Sequence, residues 1–317
     1  MNTGWKRADI AAALAVVLIW GLNFVAMKLA LREFTPMQLG AVRYLFAALP
    51  LVLLVRRPAL AWRWVGLYGL VQGVGQFGLL FLALKLGMTA ALASVLMQTQ
   101  VFFTALLALG LLGEKPTRAL MGGLLFALAG LVCFGLNFTA AGGAAGVTAI
   151  GFVLTLGAAA MWGGTNILAR HLQRIQPGYD PLQFVVWSSL APILPFAALG
   201  WLTDDAQVRQ HWTQASWQAW AGAAYLGWFA TVAAYGLWTW LLKRHPANQV
   251  APFGLGVPVV GLLAGMWLLG EHLSAWQVAG IACIGLALAY VMFAGRAMPP
   301  MRMAPKRQAR GPRSGLK

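Results

Sequence analysis

The sequence predicts an all-α membrane protein: ten transmembrane helices arranged as two inverted five-helix repeats. Three observations carry that prediction. The chain is 60% hydrophobic and only 9% charged, against about 25% charged in a soluble domain. Its apolar residues gather into ten runs close to the roughly 20 residues that a span needs. The two halves also align with one another. At an offset of 145 residues, Phe34-Thr35-Pro36-Met37-Gln38 falls on Tyr179-Asp180-Pro181-Leu182-Gln183 and Pro50 on Pro195. At an offset of 157, Leu111-Leu112-Gly113-Glu114 falls on Leu268-Leu269-Gly270-Glu271, Tyr68 on Tyr225 and Gly123 on Gly280.

The first run, 10–31, follows Lys6 and Arg7. It is too long for the apolar core of a signal peptide, no small-x-small cleavage site precedes Arg32, and Trp20-Gly21 is echoed by Trp162-Gly163, so it is expected to be retained. The second run, 37–55, opens on Thr35-Pro36, a capping side chain before a proline at the first helical position. Runs 64–84, 90–112 and 119–136 complete a first repeat expected over residues 5–138. Thr139 to Thr148 is mostly Ala and Gly and is expected to be a flexible link. A second repeat is expected over 147–295. Its runs are 149–168, 182–201 (opening on Asp180-Pro181), 217–241, 247–269 and 275–294, and the polar stretch from Thr203 to Ser216 accounts for the change of offset. Residues 296–317, rich in Pro, Arg and Met, are expected to form a disordered basic tail.

An odd number of spans inserts the second copy upside down, and inverted repeats are the signature of alternating-access transport. The net charge of +16 raises the question of nucleic acid, but its distribution answers otherwise. With the N-terminus inside, 18 of the 23 Lys and Arg fall in inside segments or the tail, and only Lys28, Arg32, Lys85 and Arg209 at outside ends. That is the positive-inside bias. It predicts two cytoplasmic termini, a lipid bilayer as the surroundings and no nucleic-acid partner.

Polar groups inside hydrocarbon are costly and tend to face a bundle interior or a wet pathway. The inventory is Asn23; Arg43 and Tyr44; Gln72 and Gln76; Ser94, Gln98, Thr99, Gln100 and Thr104; Thr165 and Asn166; Thr231 and Tyr235. Asn23, Gln72, Gln76, Gln98, Gln100, Asn166 and Tyr235 are the candidate substrate-binding residues. Each alone is as consistent with an interhelical hydrogen bond; as a set they exceed what packing requires. Gln72 and Gln76 share one face of a helix. Gln98 and Gln100 are about 200° apart around a helix axis, which predicts that they do not face one cavity. Among the tryptophans, Trp20, Trp162, Trp187 and Trp238 lie deep enough to line one. Arg43 is expected to snorkel or pair helices, with an anion contact as the alternative, and Lys28 and Lys85 to snorkel at span ends.

The stretch Ala251-Pro252-Phe253-Gly254-Leu255-Gly256-Val257-Pro258 is expected to break its helix, with Pro252, Gly254, Gly256 and Pro258 as a hinge. Its counterpart, Ser94 to Val101, has polar side chains and no proline. No acidic residue is expected deep in a span and all four histidines are expected in loops, which leaves no proton relay. Glu114 and Glu271 are expected to fix their own turns. Cys133 and Cys283 have no disulfide or metal spacing, and no hydrolytic motif is present. The reading is therefore not an enzyme, with no metal, no cofactor and no obligate protein partner.

Several of these stretches resemble the EamA family of the drug/metabolite transporter superfamily. They are Trp20-Gly-Leu-Asn-Phe-Val25, the two Gly-Glu turns (Gly113-Glu114 and Gly270-Glu271), Gln98-x-Gln100-x-Phe102-Phe103, Pro192-Ile-x-Pro195-Phe196, and Val250-Ala-Pro252 through Val257-Pro-Val-Val-Gly-Leu262. The resemblance covers about residues 5–295. It implies a bacterial inner-membrane exporter of small polar metabolites, O-acetylserine, cysteine or related amino acids. It also implies a cavity built from spans one, three, four, six, eight and nine. The alternatives are export of aromatic or cationic compounds on the same fold and, from another class, a non-transporting membrane scaffold.

Overall fold

A computed structural model describes residues 5–114, 117–139 and 147–297. The link and the basic tail expected from the sequence lie largely outside them. Among the described residues there is no strand. We number the long helices in chain order. The first half holds α1 (Arg7–Ala30), α2 (Pro36–Leu54), α3 (Trp62–Lys85), α4 (Ala90–Leu112) and α5 (Arg118–Thr139). The second holds α6 (Ala149–Ile175), α7 (Pro181–Thr203), α8 (217–244), α9 (247–269) and α10 (Ala275–Ala297).

Among the described residues, nine helices are long and apolar enough to cross a membrane, and all of α1 to α10 except α8 are among them. Five Trp and two Tyr keep α8 less apolar, although it runs continuously through Trp217–Ala224, Tyr225–Ala233 and Ala234–Arg244. Large apolar side chains such as Leu53 (80% exposed), Leu194 and Trp267 (both about as exposed) point outward, as a lipid-facing surface requires.

The caps read from the sequence are present. Thr35 accepts from the Gln38 N–H, and the Gln38 side chain accepts in turn from the Thr35 N–H; Asp180 accepts from Leu182 and Gln183. Both Gly-Glu turns end their helices on a left-handed glycine, Gly113 at φ 65° and Gly270 at φ 66°, a conformation that costs glycine little. α2 packs on α7 and α5 on α10; α1 packs on α9 and α8, while α6 packs on α4 and α3. Each pairing recurs when the halves are exchanged, a pattern compatible with the inverted repeat.

Four helices depart from α-geometry within their length, in related pairs. α3 widens to a π-helix over Val71–Gly78 and α8 over Tyr225–Ala233. α4 tightens to a 3-10 turn over Met97–Thr99 and α9 over Ala251–Leu255. The break in α9 is the one its prolines and glycines announce. The break in α4 is not visible in the sequence, which has no proline there.

Candidate functional site

These irregular segments surround one cavity of about 620 Å³. Its wall takes residues from α1, α2, α3, α4, α6, α8, α9 and α10. The lining positions on α9 (Ala251 to Val257) and α10 (Leu288 to Met292) lie near the end at which α1 begins. The cavity is thus displaced toward that end, here the N-terminal face.

Six of the seven candidate substrate-binding residues line it: Asn23, Gln76, Gln98, Gln100, Asn166 and Tyr235. Gln72 does not. Its Nε2 donates to the hydroxyls of Tyr68 (3.3 Å) and Tyr235 (3.2 Å), so it holds the Tyr235 phenol from behind. The expectation that Gln98 and Gln100 could not share a cavity is corrected: both line it. Gln98 sits within the 3-10 turn and Gln100 directly follows it. Three residues per turn bring positions two apart to about 120°, close enough for one wide cavity to reach both.

The amides divide by what they already bond. Asn166 Nδ2 donates to Gln100 Oε1 (2.6 Å) and Thr104 Oγ1 (3.1 Å), clamping α6 to α4. For this pair the interhelical role is realised. Asn23 Oδ1 and Gln76 Oε1 are buried without a hydrogen-bond partner, although unpaired buried acceptors are rare. Both residues line the cavity, while the two oxygens themselves are covered from it.

Three of the four deep tryptophans, Trp20, Trp162 and Trp238, also line it. Trp20 donates from Nε1 to the Ala230 carbonyl at 3.0 Å and packs edge-on against Tyr235 and tilted against Trp238. Trp187 stands elsewhere, donating to the Val55 carbonyl and packed on Trp62.

Arg43 does not snorkel. It is 2% exposed and lines the cavity. Its Nη2 donates to Thr231 Oγ1 at 3.1 Å, and its guanidinium carbon lies 3.7 Å from the Phe77 ring centroid. The Thr231 hydroxyl donates to the Leu226 carbonyl five residues back, a carbonyl within reach because the helix is π-wound there. The expected pairing of helices is therefore found, α2 to α8, but on the cavity wall.

Of the residues expected to form a hinge, Gly254 lines the cavity. A Cβ on Gly256 would meet Val17 at 2.8 Å, so that glycine also permits the close approach of α1. The Pro258 carbonyl accepts from Ser94, and Pro252 opens the 3-10 turn.

Away from the cavity, the charged groups correct several expectations. Glu271 does not fix its own turn: its two oxygens accept from the Ala90 and Ala91 N–H groups, both at 2.7 Å. Glu114 pairs with Arg170 and Arg174. Lys28 donates to the Leu84 and Met88 carbonyls and Lys85 to the Leu31 carbonyl, tying α1 to α3 instead of reaching outward. His171 lies within α6, against Trp64. Asp9, buried in the first turn of α1, meets His245 at 3.2 Å and Arg244 at 3.4 Å. Among the described residues no cluster of His, Cys, Asp or Glu has the makings of a metal site.

Comparison with known proteins bears on the family and the fold. The model of the EamA-like transporter family matches twice, over residues 7–136 and 149–293. A Salmonella typhimurium protein named "Probable amino-acid metabolite efflux pump" is 36% identical over 300 residues, spanning 94% of this chain and 99% of its own. An Escherichia coli protein of the same name is 34% identical over 88% of this chain and 93% of its own. One solved structure superposes with a TM-score of 0.61 at 19% identity, covering 93% of this chain and 99% of that one, a likeness of fold.

Proposed function

The chain belongs to the EamA-like transporter family, and from that premise we propose that it exports amino acids and closely related metabolites, O-acetylserine and cysteine among them, by alternating access. The observation that carries the reading is the cavity wall: neutral amides with two unpartnered oxygens, and relatives over almost the whole chain named as amino-acid metabolite efflux pumps. Asn23, Gln76 and Gln98 offer hydrogen bonds to a zwitterion. Gln100 and Asn166 hold α4 against α6, and Gln72 positions Tyr235.

The positive-inside distribution supports two cytoplasmic termini. In that orientation the cavity lies toward the cytoplasm, where an exporter loads. The 3-10 turns of α4 and α9 are the places where the spans flex as access alternates, with Pro252, Gly254, Gly256 and Pro258 as the hinge of α9.

A second reading, export of aromatic or cationic compounds, is favoured by Trp20, Trp162, Trp238 and Tyr235 on the wall. One experiment separates the two: efflux of labelled O-acetylserine and cysteine from proteoliposomes, beside Gln98→Ala. Saturable efflux is expected, with the variant slower by roughly twofold to tenfold, the value of one neutral hydrogen bond. No flux above empty liposomes sinks the amino-acid reading. Competition by hydrophobic cations but not by amino acids moves the assignment to the second.

A further inference from the structure

The cavity holds one charge that its neighbours do not answer. Arg43 stands about 10 Å along α2 from its start, in the middle of the bundle. The groups it contacts are all neutral: Thr231 Oγ1 at 3.1 Å, the Met27 sulfur at 4.0 Å, and the rings of Phe77, Tyr44 and Phe81. Its Nε is buried without a hydrogen-bond acceptor. Among the described lining residues there is no Asp or Glu.

A buried guanidinium without a counter-ion is costly, because burial removes water that nothing charged replaces. If its task were only to join α2 to α8, a neutral donor to Thr231 would serve without that cost. The Thr231 bond instead fixes the head group while Nε stays covered and without an acceptor, and a guanidinium presents parallel N–H groups matched to the two oxygens of a carboxylate. The complementary half of an amino acid finds its partners in the same cavity. Asn23 Oδ1 and Gln76 Oε1 are unpartnered acceptors suited to an ammonium, and Trp20, Tyr235 and Trp238 are on the wall, rings of the kind that attract cations.

We infer that Arg43 binds the carboxylate of the transported solute, and that it makes the cavity selective for carboxylate-bearing molecules over their amides, esters and shape-matched cations. The inference rests on the amino-acid reading above and deepens it: the aromatic wall then receives the ammonium or side chain of an acid, and a solute that is only a cation meets Arg43 uncompensated.

The test is the affinity of the purified full chain, in nanodiscs, for matched acid and amide pairs: cysteine with cysteinamide, and indole-3-acetate with indole-3-acetamide. Dissociation constants come from thermal-shift titration. In the wild type the acid is expected to bind tighter than its amide by about tenfold to a hundredfold, the range of a charge-assisted hydrogen bond. In Arg43→Gln the ratio falls to within about twofold in both pairs: both acids lose affinity and the cationic cysteinamide, no longer facing a like charge, gains it; retained binding of the neutral indole-3-acetamide shows that the variant is folded. Arg43→Lys keeps the charge and loses the fork, and is expected to fall between; it decides the matter if Arg43→Gln does not fold. A wild type without acid preference, or a variant that keeps it, overturns the inference. Preference within the indole pair while cysteine fails to bind upholds Arg43 and overturns the amino-acid reading. Cysteine binding no better than its amide does the reverse. Binding by none of the four overturns both.

Discussion

Two copies of one turn do different work at the two ends of this molecule. Gly113-Glu114 and Gly270-Glu271 match in sequence, and their glycines share one left-handed conformation. At the end opposite the N-terminal face, Glu271 accepts two backbone N–H bonds from the first turn of α4. These are donors that a helix leaves without intrahelical partners, beside a dipole that favours negative charge. Lys28, Lys85 and Glu33 add further cross-links at that end, Glu33 by accepting from the Ser216 N–H and hydroxyl at the start of α8. At the N-terminal face Glu114 pairs with Arg170 and Arg174, whose side chains are 43% and 59% exposed. The cavity lies toward that end. The comparison teaches that one repeated turn can serve two purposes: Glu271 caps a helix with fixed backbone hydrogen bonds, whereas Glu114 is held by solvated ion pairs.

The largest break in the comparison comes from Glu271→Ala, which leaves two helix-terminal N–H groups without their acceptor. It is expected to cost about 2–4 kcal/mol, since hydrogen bonds to a charged group contribute roughly 1.5–3 each and these two share one carboxylate. Thermal or chemical unfolding of the purified protein reads it, and a loss under about 0.5 kcal/mol would show that the cap is not structural. Glu114→Gln is expected to cost only roughly 0–1 kcal/mol, because exposed ion pairs are screened; a loss equal to that of Glu271→Ala would erase the proposed difference between the ends.

The finest test is pH. The hydrogen bonds from the Ser216 backbone and side chain hold the Glu33 carboxyl below its ordinary value of 4.5. A carboxyl lowered by folding stabilises above its unfolded value, and that contribution fades as the pH falls through the folded one. The wild type is therefore expected to lose stability more steeply than Glu33→Gln below about pH 4.5, with the two running parallel above it. Parallel curves throughout would show that the Ser216 contacts do not persist in solution.

Legibility in the sequence followed the kind of force involved. The spans, the caps at Thr35 and Asp180, the left-handed glycines and the break at Ala251–Leu255 are local or compositional. Hydropathy over about 20 residues, a side chain three positions from an N–H, or a proline without one can be read along the chain. Six of the seven polar candidates were placed on the cavity by one further rule, that polar groups avoid lipid. That rule could not say which of them were already satisfied. Gln100 and Asn166 bond each other across 66 residues, and Gln72 reaches Tyr235 across 163, whereas Asn23 and Gln76 keep free oxygens.

The same limit explains Arg43. Snorkelling is the cheaper option for a cation whose position in the span is all that is known. Only packing reveals that Phe77 and Thr231 surround it, and that the π-winding of α8 turns the Thr231 hydroxyl to meet it. The sequence by itself determined that this chain lives in lipid, crosses it in paired sets of helices and carries polar groups inside. Which partner each turn glutamate takes, which amides are spent on one another and which charge stands uncompensated on the cavity wall were decided by the tertiary structure, because those depend on contacts between residues that the chain keeps far apart.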